Sequence, residues 1–176
     1  MNKIDALIAQ YVTTHAPTEA WSAPSCGFSE IKITADGRWF HQGTEIKRKP
    51  LIALFASVLS FDGKQFWLKT PAESCEVEVE AHPFIITQWH YCDKAESADL
   101  SPCIIATDNL DRQWPICNRF PLALERVDGH LIPFLRLNYG LTARISRNVY
   151  YQWAELLKED EKGFYLSSAK TRFYLG

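Results

Sequence analysis

Residues 44–70 read TEIKRKPLIALFASVLSFDGKQFWLKT, and residues 142–168 read TARISRNVYYQWAELLKEDEKGFYLSS. Set side by side, Ile46 and Arg48 match Ile145 and Arg147, Leu51 matches Tyr150, Leu54 matches Trp153 and Val58 matches Leu157. After a slip of one residue, Phe66-Trp67-Leu68 matches Phe164-Tyr165-Leu166. Each copy reads as Ile-x-Arg, an amphipathic helix, a polar turn with glycine and a short aromatic strand, and an Asp-Gly turn precedes each, at Asp36-Gly37 and Asp128-Gly129. Self-similarity of this kind points to a repeated architecture. Two copies are too few for a solenoid, so the expectation is an internal duplication giving two similar lobes.

The 176 residues suffice for one ordinary domain or two small lobes. A hydrophobic content of 47% against 23% charged residues is that of a globular chain and excludes a disordered one. A formal charge of −2 argues against general nucleic-acid binding, which draws on a basic face. The opening residues MNKIDALIAQYVTTH alternate polar and apolar, with no apolar core like that of a signal peptide, and are expected to form a surface helix packed along Ile4, Leu7, Ile8 and Tyr11. No apolar run approaches the roughly 20 residues of a membrane span. The five cysteines, Cys26, Cys75, Cys92, Cys103 and Cys117, are widely spaced and odd in number, and are expected to be buried, reduced thiols of a cytoplasmic protein.

Local patterns place the elements. Ile31 and Ile33 alternate with polar residues, then Asp36-Gly37 turns the chain into Trp39 and Phe40, a hairpin. Pro50 fits a first helical turn, and Leu51, Leu54, Phe55, Val58 and Leu59 follow at helical spacing until Asp62-Gly63. The run CEVEVEA puts Val77 and Val79 on one face of a strand and Glu76, Glu78 and Glu80 on the other. Further strands are expected over 66–69, 84–91, 104–107, 122–127, 131–137, 164–166 and 172–175, and a second long helix from Thr142, packing through Ile145, Val149, Trp153 and Leu156. The sum is an α+β protein with antiparallel strands and one long helix per lobe: an N-terminal helix over 1–16, an N-terminal lobe over 17–80 and a C-terminal lobe over 81–176. Leu54 and Trp153, central to the two helical faces, are expected to be core residues.

No GxGxxG, GxxxxGK[ST], HExxH, GxSxG or CxxC occurs, so no motif names a reaction, a cofactor or a metal centre. His82 and His90-x-Cys92 lack a metal-site spacing and read as ordinary strand surface. Arg48 stands immediately ahead of a helix, where the dipole disfavours a cation, so Glu45, Glu73 or a bound anion such as phosphate should offset it. Arg147 is its counterpart, with Arg136 and Arg144 near it in sequence. The polar segments at Thr70 to Glu73 and Thr107 to Arg112 fall between strands, where binding residues collect. The candidate ligand-binding residues are therefore Arg48, Thr70, Glu73, Thr107, Asn109, Arg136 and Arg147, and no catalytic residue is assigned. The aromatics Trp39, Phe40, Trp67, Trp89, Tyr139, Tyr150, Tyr151 and Trp153 read as core before they read as a stacking pocket.

The stretch DGRWFHQGTEIKRKPLIALFASVL, continued by DGKQFWLKTPAE, resembles the bacterial domain-of-unknown-function family numbered 1285. AHPF, the Thr107-to-Asn109 turn, LRLNYGLTARISRNVYYQWAEL and the closing RFYLG are similar to the rest of that family's pattern, so the likeness covers nearly the whole chain from about residue 17. One departure stands ahead of the second helix, where members carry a glycine-rich Arg-Gly segment and this chain has Leu137-Asn138-Tyr139-Gly140. The resemblance implies a two-part α+β fold with a duplicated core and a C-terminal part like a pleckstrin-homology fold. It also implies a cleft between the halves that holds a nucleotide-like ligand, and a role in signalling.

The leading expectation is a cytoplasmic, non-enzymatic sensor of a nucleotide-like small molecule, with neither nucleic acid nor membrane as partner. Its rivals are an enzyme acting on a phosphorylated small molecule, with Glu73 or Asp108 as general base, and a protein-interaction module without a ligand.

Overall fold

A computed structural model of the chain describes residues 3–92, 98–100 and 102–176. The chain divides into two compact units. The first holds Thr14–Pro83 and Asn138–Thr142, and the second holds Met1–Thr13, Phe84–Leu137 and Ala143–Gly176. Helix α1 (Lys3–Tyr11), with Leu7 buried, belongs to the second unit.

In the first unit β1 (Ser25–Ile33) turns at Asp36-Gly37 into β2 (Trp39–His41) and then β3 (Thr44–Glu45), each antiparallel to the one before. Helix α2 (Lys49–Ser57) follows, with Pro50 in its first turn as its fixed φ favours. The chain then returns through β4 (Leu59–Phe61), β5 (Phe66–Lys69) and β6 (Ser74–Val79). The last of these lies parallel to β1, so the sheet order is β3-β2-β1-β6-β5-β4. Ile33, Trp39, Leu59 and Val77 are fully or almost fully buried beneath it.

The second unit repeats the plan. β7 (Phe84–Tyr91), β8 (Ile104–Asp108) and β9 (Gln113–Pro115) lead outward, and β10 (Leu122–Val127), β11 (His130–Arg136) and β12 (Thr142–Ile145) lead back. Again first and last pair parallel, giving the order β9-β8-β7-β12-β11-β10. Helix α3 (Arg147–Ala154) packs on β7, and a three-stranded sheet of β13 (Lys158–Asp160), β14 (Gly163–Ser168) and β15 (Thr171–Tyr174) ends the chain. Ser168 joins this sheet to the larger one: its buried hydroxyl accepts from Ile104 N at 2.8 Å and donates to Ile116 O at 2.7 Å.

Two similar six-stranded sheets are thus present, but the segments that match in sequence are not equivalent in them. Residues 44–70 cover β3 to β5 inside the first sheet, whereas residues 142–168 cover β12 and then leave for the three-stranded sheet. The structural counterpart of β1 to β6 is β7 to β12. The shared apolar phase of the two stretches reflects a common helix-turn-strand grammar. Leu54 and Trp153 show the consequence, since the first is 58% exposed and the second fully buried.

Other expectations change with the topology. The strands are not all antiparallel, because in each unit the first and sixth meet side by side and a parallel pair requires the long connection that four intervening strands supply. The helix does not begin at Thr142: Ala143, Arg144 and Ile145 pair with Phe84, Ile85 and Ile86, and α3 starts only after Ser146, whose hydroxyl caps Val149 N at 3.4 Å. Both expected long helices are short, nine residues in α2 and eight in α3. Val58 caps α2 and Leu59 enters β4, so Asp62-Gly63 turns a hairpin and does not end a helix.

Candidate functional site

Arg48 is the N-cap of α2, with extended φ and ψ of −78° and 99°. Its carbonyl accepts from Leu51 N at 3.0 Å and Ile52 N at 3.2 Å, and Pro50 carries no N–H, so little of the usual backbone anion site remains at this helix end. The side chain is exposed, and no ion pair or side-chain hydrogen bond joins it to a described residue, Glu45 and Glu73 included. Water solvates the guanidinium, which makes the unfavourable dipole contact small. Because the helix does not begin at Thr142, Arg147 is the first residue of α3, and it is exposed as well.

The other candidates have local structural roles. Thr70 and Glu73 close one turn between β5 and β6: Thr70 N donates to Glu73 O at 2.8 Å, and Thr70 Oγ1 accepts from Glu73 N at 3.1 Å. Asn109 clips β7, its Oδ1 accepting from Ile85 N at 3.0 Å and its own N–H donating to Ile85 O at 2.8 Å. Thr107 is a half-buried ladder residue between Gln88 and Gln113. Arg136 ends β11, exposed, with its guanidinium 6.0 Å from the Phe134 ring. His82 is buried and hydrogen-bonded to Thr142 at 2.7 Å.

Asp108, the alternative general base, is committed elsewhere. Its carboxylate is buried and accepts from Leu110 N (2.9 Å), Arg112 N (3.1 Å), Arg112 Nε (2.9 Å) and Trp114 Nε1 (3.0 Å). Arg112 Nη2 completes an ion pair at 2.8 Å, in contact but not in hydrogen-bond alignment, while the guanidinium lies 3.9 Å from the Phe84 ring centroid. With its lone pairs filled, this carboxylate holds the β8–β9 hairpin together. Asp62 does the same for the β4–β5 hairpin, accepting from Gln65 N, Lys64 N and Trp67 Nε1 at 2.8 to 2.9 Å. These donors, the Gln65 amide foremost, hold the Asp62 carboxyl down to about 2.

Two features of the first unit lay outside the sequence reading. The first is an open groove of about 300 Å³ lined by Phe28, Lys64, Gln65, Phe66, Val77 and Glu78. It follows from a fault in the parallel ladder, where Phe28 pairs with Glu76 and Lys32 with Glu78, so four residues of β1 are spent against two of β6. The extra residues bend the strand, and Phe28 is left 54% exposed. Gln65 Nε2 donates to Val77 O at 3.2 Å, and Lys64 is exposed on the hairpin that Asp62 fixes. None of the seven candidate residues lines this groove.

The second feature is a disulfide between Cys26 and Cys75, whose Cα atoms are 5.2 Å apart. Ser25 pairs with Ser74 and Gly27 with Cys75, so Cys26 is the unpaired residue of a bulge, and Gly27 supplies the positive φ of 86° that follows it. Cys26 is exposed and Cys75 half-buried, contrary to the expectation of five buried, reduced thiols. The separation of 49 residues gives no sign of this neighbourhood. Cys92, Cys103 and Cys117 form no disulfide, and burial pushes the Cys103 thiol up to about 12.

Comparison with known proteins gives a consistent answer. A domain described as "Domain of unknown function (DUF1285), N-terminal domain" matches residues 16–82, and "Protein of unknown function (DUF1285), C-terminal domain" matches residues 83–175. The crystal structure of a DUF1285 family protein from Silicibacter pomeroyi DSS-3 is similar at a TM-score of 0.82 and 25% identity, over 99% of this chain and 94% of that one. A DUF1285 family protein from Shewanella baltica OS155 is similar at a TM-score of 0.57 and 22% identity, over 72% of this chain and 91% of that one. No curated protein matches the chain.

Proposed function

Because the chain belongs to the DUF1285 family, whose description names no activity, we propose a function from the geometry: a cytoplasmic, non-enzymatic sensor that takes a small, nucleotide-like anion into the groove of the first unit and acts in signalling. The observation that carries this reading is the Phe28 ring, 54% exposed at the edge of a groove of about 300 Å³ that also presents the exposed cation Lys64. An aromatic face and a cation are the two elements that recognise a flat heterocycle carrying phosphate. The volume is at the lower end of the usual range for small-molecule sites. The groove replaces the seven polar candidates as the favoured place, with Arg48 kept as a second location to be tested. The proposal carries with it the pleckstrin-homology-like reading of the C-terminal unit, supported by the packing of α3 against β7.

A thermal-shift screen with ATP, AMP and related nucleotides tests it. Ligand at 100 times its dissociation constant adds about 2.7 kcal/mol to the folded state, a rise of roughly 5–11 °C at about 2–4 °C per kcal/mol for a chain of this size. Phe28→Ala and Lys64→Glu should abolish the shift while Arg48→Lys keeps it. A shift lost only in Arg48→Lys moves the site to α2, and no shift with any nucleotide removes the sensor reading.

A second reading has its own support. Within α2 only Ala56 is buried, Leu54 is 58% exposed, and Lys47, Arg48 and Lys49 stand exposed at its start. An apolar helix surface beside three cations suits a protein-interaction module for an acidic partner.

A further inference from the structure

Cys26 Sγ, Cys75 Sγ and a carboxylate oxygen of Glu73 all lie within 4.8 Å of one another on the exposed end of the β1–β6 pair. We propose that this trio is a metal site: when the disulfide is reduced, Cys26, Cys75 and Glu73 bind one soft divalent cation of the zinc class, with a water in the fourth position. Tetrahedral Zn²⁺ takes thiolate sulfur at about 2.3 Å and carboxylate oxygen at about 2.0–2.2 Å, so ligand atoms in one shell are about 3.5–3.8 Å apart. Joined in the disulfide, the two sulfurs stand closer than that; after reduction, side-chain rotation can spread them to this spacing, with the Cα atoms 5.2 Å apart and a Glu73 carboxylate oxygen within 4.8 Å of both sulfurs. Cys26 is thrust out at the bulge, Cys75 faces it across the parallel ladder, and the Thr70–Glu73 turn delivers Glu73 two residues ahead of Cys75. Two sulfurs and one oxygen are a donor set for Zn²⁺ or Co²⁺, and a poor one for Mg²⁺ or Ca²⁺, which take oxygen alone.

The disulfide is the closed form of the same site. A dithiol reductant opens it by exchange: the reductant's two sulfurs join in a disulfide of their own, the Cys26–Cys75 bond breaks, and each cysteine keeps one of the protons the reductant gives up. Binding the cation then displaces those two protons, because the thiolate is the ligand form. Cys26 and Glu73 are exposed, so exchange and metal entry need no opening of the fold.

The test uses the full chain, reduced with dithiothreitol, freed of it without air, and titrated with Co²⁺. Thiolate-to-cobalt charge-transfer absorption should rise and saturate at one ion per chain, and fail to appear in the air-oxidised protein. Cys26→Ser and Cys75→Ser should abolish it, and Cys92→Ser should not. Glu73→Gln, a change at an exposed side chain, should weaken binding by at least about tenfold, the lower bound for losing even an outer partner of a metal ligand. The proposal is overturned by a reduced wild type without the band, by a Cys26→Ser protein that retains it, or by a Glu73→Gln protein that binds as tightly as wild type. The serine variants must match wild type in circular dichroism to be scored. If they do not fold, the comparison of oxidised with reduced wild type and the Glu73→Gln titration decide the matter.

Discussion

Replacing Asp108 by asparagine keeps the shape of the side chain and removes its charge, which separates a structural carboxylate from a catalytic one. The carboxylate accepts four hydrogen bonds, two on each oxygen, and faces Arg112, whose side chain is only 14% exposed. Whichever way an amide is turned, its NH2 group meets two donors: the Leu110 and Arg112 backbone amides, or Arg112 Nε and Trp114 Nε1. Two donors in this partly buried hairpin are left without an acceptor, and a guanidinium seated 3.9 Å from the Phe84 ring centroid loses its counter-charge. Breaking a buried pair from one side costs about 3–5 kcal/mol. At about 2–4 °C per kcal/mol for 150–250 residues, the melting midpoint of Asp108→Asn should fall by roughly 6–20 °C. Calorimetry or a urea titration followed by tryptophan fluorescence would measure it. A midpoint within about 0.5 kcal/mol of wild type, the range of an ordinary surface change, would refute the structural role and return Asp108 to the list of candidate bases.

Trp153→Ala should cost about 3 kcal/mol, near the bottom of the 3–5 kcal/mol range for large aromatics, because its buried Nε1 has no hydrogen-bond partner among the described residues and removing it relieves a desolvation cost. Leu54→Ala, at 58% exposure, should stay within about 0.5 kcal/mol in the same urea titration, and equal losses in the two variants would contradict the assigned burial. Asp62, held down to about 2 by the Gln65 and Lys64 amides and the Trp67 indole, contributes stability that is fully present above pH 4, where the unfolded side chain is also ionised. That contribution is lost as pH falls from about 4 through 2, so carboxyl NMR should give an Asp62 midpoint near 2, and a midpoint near 4 would contradict the hydrogen bonds at that turn.

Strand limits were largely legible in the chain because they depend on local alternation. The runs 66–69, 84–91 and 122–127 are β5, β7 and β10 as the pattern placed them. The doubling was legible too, but at the wrong residues. Apolar phase compares a segment with its own helix or strand, whereas the true equivalence of β1–β6 with β7–β12 rests on which strands meet at the centre of a sheet. That is settled by burial across dozens of residues. The same limit hid Thr142–Ile145, which has a helix-capping threonine and a strand's burial pattern, and which parallel pairing with β7 made a strand. The groove and the cysteine pair were out of reach for a related reason, since both arise from register faults between β1 and β6. One signal was present and unread. Asp62 precedes Trp67 by five residues and Asp108 precedes Trp114 by six, each across a hairpin turn, and in each the indole N–H closes onto the carboxylate. That recurrence marks Asp108 as a hairpin clamp.

The sensor reading is tested most directly by mapping where a nucleotide touches the protein, through ¹H–¹⁵N NMR spectra recorded along an ATP titration. Saturating shifts should gather at Phe28, Lys64, Gln65, Phe66 and Val77 to Val79, which line the groove, and should vanish in Phe28→Ala, since stacking on one aromatic is worth about 1–3 kcal/mol. Shifts confined to Lys47–Ile52 at the start of α2, or a spectrum that ATP leaves unchanged, would contradict it.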